Sequence, residues 1–193
     1  MNVVCYPSEI LSRPTPRVEK FEPGLRDLAR RMFDIMYQAN GVGLAGPQAG
    51  LSLRLCVMNC DPDHKSEGEL VMINPEILEQ SGREVGEEGC LSFPGIFIEI
   101  SRAQRVKVRY QNLDGQERTF EAEGLPARAV QHEIDHLNGS LLIHKMSVVQ
   151  KLAHRRALKM LELRLPAEAK PKKDARAETP PPRRTRRKDT PAS

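Results

Sequence analysis

His132-Glu133-Ile134-Asp135-His136 spells H-E-x-x-H inside a stretch built to be helical. On a helix, residues four apart lie one turn above each other, so both imidazoles can meet one metal ion. Glu133 follows the first histidine directly and can stand beside that ion as a base for water. The surroundings agree with a helix. Gly124 and Pro126 suit its start, Asn138-Gly139 suits its stop, and no breaker lies between them. Leu125, Ala129, His132 and His136 follow the i, i+4, i+7, i+11 spacing of a single face. Such a helix cannot stand alone, because two histidines do not complete a metal site. The rest of the chain has to wrap around it and deliver another ligand.

The long metalloprotease pattern H-E-x-x-H-x-x-G-x-x-H would need a histidine at position 142, where the chain has Leu142. A glutamate from a later helix is the alternative, and Glu162 and Glu168 are its candidates; one sits in an amphipathic helix and the other in a tail. Upstream, Glu87-Glu88-Gly89-Cys90-Leu91-Ser92 sets a cysteine between a glycine and a short apolar stretch. A thiolate is a good ligand for zinc or ferrous iron. Cys90, His132 and His136 make three protein ligands with a fourth position open, the arrangement of catalytic sites.

Three blocks now stand in order: Gly41-Val42-Gly43-Leu44-Ala45-Gly46-Pro47-Gln48, Glu88-Gly89-Cys90-Leu91-Ser92, and Gln131-His132-Glu133-Ile134-Asp135-His136. In this order and spacing they closely resemble peptide deformylase, over roughly residues 1–165. The resemblance implies an α+β enzyme that removes the N-terminal formyl group from nascent polypeptides beginning with formyl-methionine and releases formate. It implies metal ligation by Cys90, His132 and His136, with Glu133 as general acid/base. The Gln48 side chain and the Leu91 backbone N–H would stabilise the oxyanion. One divalent metal ion is implied, ferrous iron in the first place, with zinc, nickel or cobalt able to replace it. Substrate would be bound by Val42, Gly43, Gly86, Gly89, Leu125, Arg128 and Ala129. Two of these depart from the bulkier apolar residues often found there: Gly86 is expected to enlarge the pocket, and Arg128 to point either to solvent or toward the peptide. Gly46 stands where alanine is common, a small-for-small change that should leave Gln48 in place.

The blocks make chemical sense together. A bound metal lowers the pKa of water toward about 7, and Glu133 can take the proton as the water attacks. One backbone N–H and one uncharged amide can receive the developing negative charge, and losing one such donor typically costs on the order of 100- to 1000-fold in rate. The glycines also satisfy G-x-G-x-x-G, but a dinucleotide fingerprint should leave a strand and open a helix. Here the block follows a helical segment and runs into Pro47. It reads better as a place where an extended peptide backbone approaches closely.

The helix needs a modest domain around it, and 193 residues supply one. A helix is expected over Gly24–Asn40, with Leu25, Leu28, Met32, Ile35 and Met36 as its apolar stripe. Strands follow at Leu53–Met58 and Leu70–Ile73, and a hairpin joins Arg105–Gln111 to Glu117–Glu123 through Asp114-Gly115. A second helix runs from about Ser147 to Leu165. The expected fold is therefore α+β, with antiparallel strands packed around a central H-E-x-x-H helix. Cys56, Cys60 and His64 are spaced four apart, but Leu53–Met58 reads as a buried strand, where such residues do not stack. Cys5 carries no functional signal.

After Leu165 the composition changes. Residues 166–193 hold nine Lys or Arg against four acids, while the whole chain is only +4, so the basic character belongs to this tail. Six of its residues are proline and apolar side chains are scarce, so it is expected to be disordered. The division expected is a catalytic domain over 1–165 and a tail over 166–193. The tail reads either as a contact for ribosomal RNA, together with the C-terminal helix, or as a solubilising extension. No apolar run approaches a membrane span and no signal core opens the chain, which predicts a cytoplasmic protein that touches no membrane. A monomer is expected.

Two further function classes share parts of this pattern. A zinc endopeptidase would share H-E-x-x-H but lacks a convincing downstream ligand. A nucleic-acid-binding module would use the tail, yet residues 1–165 are close to neutral and show no interleaved aromatic surface.

Overall fold

The computed structural model describes residues 2–61 and 68–163. The tail over 166–193, Glu168, His64 and the expected helix end at Leu165 lie outside the described residues. Helix α1 covers Gly24–Gln38 and α2 covers Leu125–Leu137. Seven strands lie between or around them: β1 (Gly43–Ala45), β2 (Leu55–Met58), β3 (Leu70–Ser81), β4 (Glu84–Gly89), β5 (Phe97–Arg102), β6 (Arg105–Gln111) and β7 (Glu117–Glu123). Three short helices follow α2: α3 (Leu142–Lys145), α4 (Val148–Ala153) and α5 (Arg155–Leu163). The result is an α+β domain with antiparallel sheets. Among the described residues no helix is long and apolar enough to cross a membrane.

Five strands form one antiparallel sheet in the order β1-β2-β3-β6-β7, and β4 pairs with β5 in a separate two-stranded sheet. Strand β2 explains how the layers stack. Leu55 and Val57 join the cluster of Met32, Phe33 and Met36 from α1. Cys56 and Met58, on the opposite face, join Ala127, Val130, Ile134 and Leu137 from α2. Alternate residues of a strand point to opposite faces, so a strand covered on both sides reads as an unbroken apolar run. A third cluster joins Phe93, Ile96, Ile98 and Ile100 of the second sheet region to Leu141, Leu142, Leu158 and Leu161 around the C-terminal helices.

Several expected boundaries moved. Strand β3 continues eight residues past Ile73, through Pro75 to Ser81, and its register shifts between Ile73 and Glu76. The shift lets proline pass: Asn74 adopts φ 54, and its side chain bonds Val18 N, Val18 O and Gln111 Oε1 at 2.8 Å each. The expected single helix from Ser147 is two, α4 and α5, divided at His154. Ser147 caps α4, its hydroxyl accepting from Gln150 N while Gln150 Oε1 accepts from Ser147 N. Strands β1, β4 and β5 were not anticipated, and these are the elements that border the site.

Candidate metal centre and active-site cleft

Helix α2 starts at Leu125 after Gly124, whose φ of 65 favours glycine, and Pro126 occupies its first turn. His132 and His136 stand one turn apart with ring centroids 5.0 Å from each other. Cys90 follows the end of β4, and its Sγ lies 3.2 Å from His136 Nε2. One ligand atom from each of Cys90, His132 and His136 can be chosen so that all lie within 4.8 Å of one another. Tetrahedral bonds of roughly 2.0–2.3 Å would put such atoms about 3.5 Å apart, so a small movement inward suffices to hold an ion. One sulfur and two imidazole nitrogens suit both iron and zinc.

Glu88 orders this cluster from behind. Arg102 Nε donates to its Oε1 at 2.8 Å and Arg102 Nη2 to its Oε2 at 2.9 Å. Arg128 Nη1 adds a bond to Oε1 at 2.9 Å, and His132 Nδ1 lies 3.1 Å from Oε2. Burial alone would raise the Glu88 pKa, but the bonds from Arg102 and His132 outweigh it and bring it to about 2. An ionised carboxylate only accepts, so His132 Nδ1 donates and Nε2 is left to face a metal. Arg102 also bonds Asp135, which in turn accepts from Lys145 Nζ at 3.1 Å.

The histidines are tuned in opposite directions. Burial lowers His132, but hydrogen bonds to Cys90 and Glu88 and the nearby Glu133 charge leave it raised overall. His136 is lowered by burial first, then by the charges of His132 and Arg102. Glu133 is buried at the cleft wall and raised to about 7, chiefly by desolvation. Among the described residues its Oε2 is buried without a protein hydrogen-bond partner, as is His136 Nδ1.

Gln48 is held on a 3-10 turn over Gly46–Ala49. Its Oε1 accepts from Ala45 N at 2.9 Å, which leaves the amide nitrogen pointing at Ser92 Oγ (3.3 Å) and Cys90 Sγ (3.6 Å). Ser92 Oγ donates to Val4 O at 2.7 Å. The orientation of Gln48 is thus fixed at both ends of its side chain.

A cleft of about 620 Å³ brings these residues together. Val42, Gly43, Gln48, Gly89, Cys90, Leu91, Leu125, Arg128, Ala129, His132 and Glu133 all line it. Gly86 does not line it: the Arg128 guanidinium covers that glycine. The added space expected at Gly86 is therefore filled from within, and Arg128 points neither to solvent nor down the cleft. Glu88, Arg102 and Ser92 have no counterpart among the site residues expected from sequence. Glu88 and Ser92 were visible in the E-G-C-L-S block, but nothing in the linear sequence linked the first to Arg102 or the second to Gln48. Phe97, half-exposed beside Gly89 on the cleft rim, was also missed.

The chain matches the family model for polypeptide deformylase over residues 1–152. It is 47% identical to peptide deformylase 1 of Bacillus cereus over 147 residues, 76% of this chain and 92% of that protein. It is 45% identical over 159 residues to the peptide deformylase of Acidobacterium capsulatum, covering 82% of this chain and 94% of that one. Among solved structures, peptide deformylase from Plasmodium falciparum superposes with a TM-score of 0.80 at 41% identity, over 83% of this chain and 95% of that one. The enzyme from Legionella pneumophila gives 0.77 at 41% identity, over 85% and 98%. Sequence blocks, sheet arrangement and side-chain cluster thus agree with one another, and the chain belongs to the polypeptide deformylase family.

Proposed function

We propose that the protein is a metal-dependent hydrolase that removes the formyl group from formyl-methionyl nascent polypeptides and releases formate. One observation carries this reading. Cys90 and His132 line the same cleft as Glu133 and the oriented amide of Gln48, and His136 is buried against Cys90 to complete the cluster. Cys90, His132 and His136 would hold one divalent ion, ferrous iron in the first place, with zinc, nickel or cobalt fitting the same donors. When bound, the metal supplies a Lewis acid that polarises the formyl carbonyl and acidifies water.

The protein groups then do the rest. Glu133 takes a proton from the attacking water and delivers it to the departing amine, the two transfers of general acid–base catalysis. Gln48 Nε2 and the Leu91 backbone N–H donate to the oxygen that becomes negative, without having to reorient as charge develops. The outer edge of β1 and the edge of β4 not paired with β5 border the cleft at Gly43 and Gly89. An extended peptide can add to these edges through main-chain bonds, while its first side chain enters beside Leu125, Arg128 and Ala129.

Residues 1–165 form the catalytic unit in this reading, acting as a monomer in the cytoplasm. The tail over 166–193 either contacts ribosomal RNA together with the C-terminal helix or remains a solvated extension. The deciding assay is formate release from a short formyl-methionyl peptide by protein reconstituted with ferrous iron or nickel. Absence of formate, or cleavage of internal peptide bonds instead, would overturn the proposal.

A further inference from the structure

The three candidate ligands are carried by two separate bodies. Cys90 ends the two-stranded sheet of β4 and β5, whereas His132 and His136 ride on α2, which packs on the five-stranded sheet. No strand pairing joins those sheets among the described residues. Arg128 bridges the two bodies. It sits one turn before His132 on α2 and is buried, with 9% of its surface exposed. Its Nη1 donates to Glu88 Oε1 at 2.9 Å, Ile100 O at 3.1 Å and Gly86 O at 3.4 Å, and its Nη2 to Glu84 O at 3.1 Å. One side chain of α2 therefore grips backbone from both strands of the small sheet.

The path to that grip runs over Gly86. A Cβ there would lie 3.0 Å from Arg128 Nη2, 3.1 Å from Cζ and 3.4 Å from Nε. The guanidinium is stacked closely on the glycine and, with its acceptors fixed, has little room to retreat. Glu88 is the other half of the grip, because it receives Arg128 and His132, one turn apart on the same helix.

We propose that Arg128 is a positioning residue for the metal centre, acting through Glu88 to hold His132 in register with Cys90, and that Gly86 is the gap that admits it. The proposal rests on the reading that Cys90, His132 and His136 hold the metal. Arg102 makes a second link: from the end of β5 it holds Glu88 by two bonds and reaches Asp135 on α2, but a Cβ on Gly86 would meet Arg128 first, so the Gly86→Ala arm of the test reports on Arg128.

The test is a double-mutant cycle on zinc- or cobalt-loaded full-length protein with Gly86→Ala, Arg128→Met and the pair, read as metal release into a chromogenic chelator. Loss of an outer partner of a metal-binding histidine typically costs about 10- to 100-fold in affinity. Arg128→Met should therefore weaken metal retention by about 10-fold or more and change the visible absorption of the cobalt form. Gly86→Ala should weaken retention in the parent and add nothing once Arg128 is gone. Equal effects of Gly86→Ala in both backgrounds would overturn the proposal, as would unchanged retention in Arg128→Met. If Arg128→Met does not fold, Gly86→Ala alone decides: with its metal-free melting temperature unchanged, undiminished metal retention overturns the proposal. Cys90→Ala separates the two levels. If it keeps the metal, the metal-site reading fails and this inference with it; if it loses the metal while Arg128→Met and Gly86→Ala do not, only the inference fails.

Discussion

A Cβ on Gly43 would lie 2.3 Å from Glu133 Oε1. The glycine of β1 thus makes room for a buried carboxylate. Gly43→Ala should displace Glu133 without touching Cys90, His132 or His136. Turnover should fall by about 100-fold or more, the scale of general acid–base assistance, while metal content stays level. Metal analysis beside steady-state kinetics checks this, and a fully active Gly43→Ala protein would show that Glu133 has freedom the packing denies it.

Glu133 also links the site to stability. Its pKa is about 7 in the fold against 4.5 for a free glutamate, so the protonated form is the one the fold prefers. That preference is fully present below pH 4.5 and is lost as the pH rises through about 7. The charged form then costs the metal-free fold on the order of 3 kcal/mol. Glu133→Gln should therefore raise the melting temperature of metal-free protein at pH 8, with little gain at pH 4. Turnover should nonetheless collapse by about 100- to 10,000-fold with the metal retained. Melting curves at the two pH values, with kinetics, test both halves.

Ser92 holds the amide of Gln48 against the cysteine side of the cleft. Gln48→Ala should cost on the order of 100- to 1000-fold in kcat, because the proposed oxyanion donor disappears. Ser92→Ala leaves the donor present but loosened, so its loss should be clearly smaller, with KM little changed. If Ser92→Ala were as damaging as Gln48→Ala, the serine would have a direct role in the chemistry.

Ending the chain after Leu165 removes the basic tail and none of the cleft residues. Kinetics on a short formyl-methionyl peptide should be unchanged within about 2-fold. Ribosome binding by the full chain and the shortened one, compared at low and near-physiological salt, distinguishes the two readings of the tail. Contact with RNA predicts steep salt dependence that vanishes on truncation. A truncated protein unable to turn over the peptide would move the domain boundary.

The parts legible in the sequence were those whose signals are local. Helix α2 had both its turn-forming ends and its periodicity, and the hairpin over Arg105–Gln111 and Glu117–Glu123 had its strands and the Asp114-Gly115 turn; both were found where expected. Strand β4 was not legible, because Glu84-Val85-Gly86-Glu87-Glu88-Gly89 is poor in residues that favour strands. Its extended form depends on β5 and on two distant arginines. Strand β1 is only three residues long and offers no period to read. The same split runs through the site. The grouping of Cys90, His132 and His136 could be assembled from short blocks, but the Glu88 network joins residues 14 and 40 positions apart and exists only in three dimensions.

In the proposed function, the borders of β1 and β4 that pair with no other strand among the described residues have a wider meaning for an enzyme of nascent chains. Amide N–H and C=O groups recur at every residue of every polypeptide, whatever its side chains. A cleft that reads those groups asks only for a starting residue of the right chemistry and then accepts any text that follows. Generality across a whole proteome can thus be built from the one part of a protein that all sequences share.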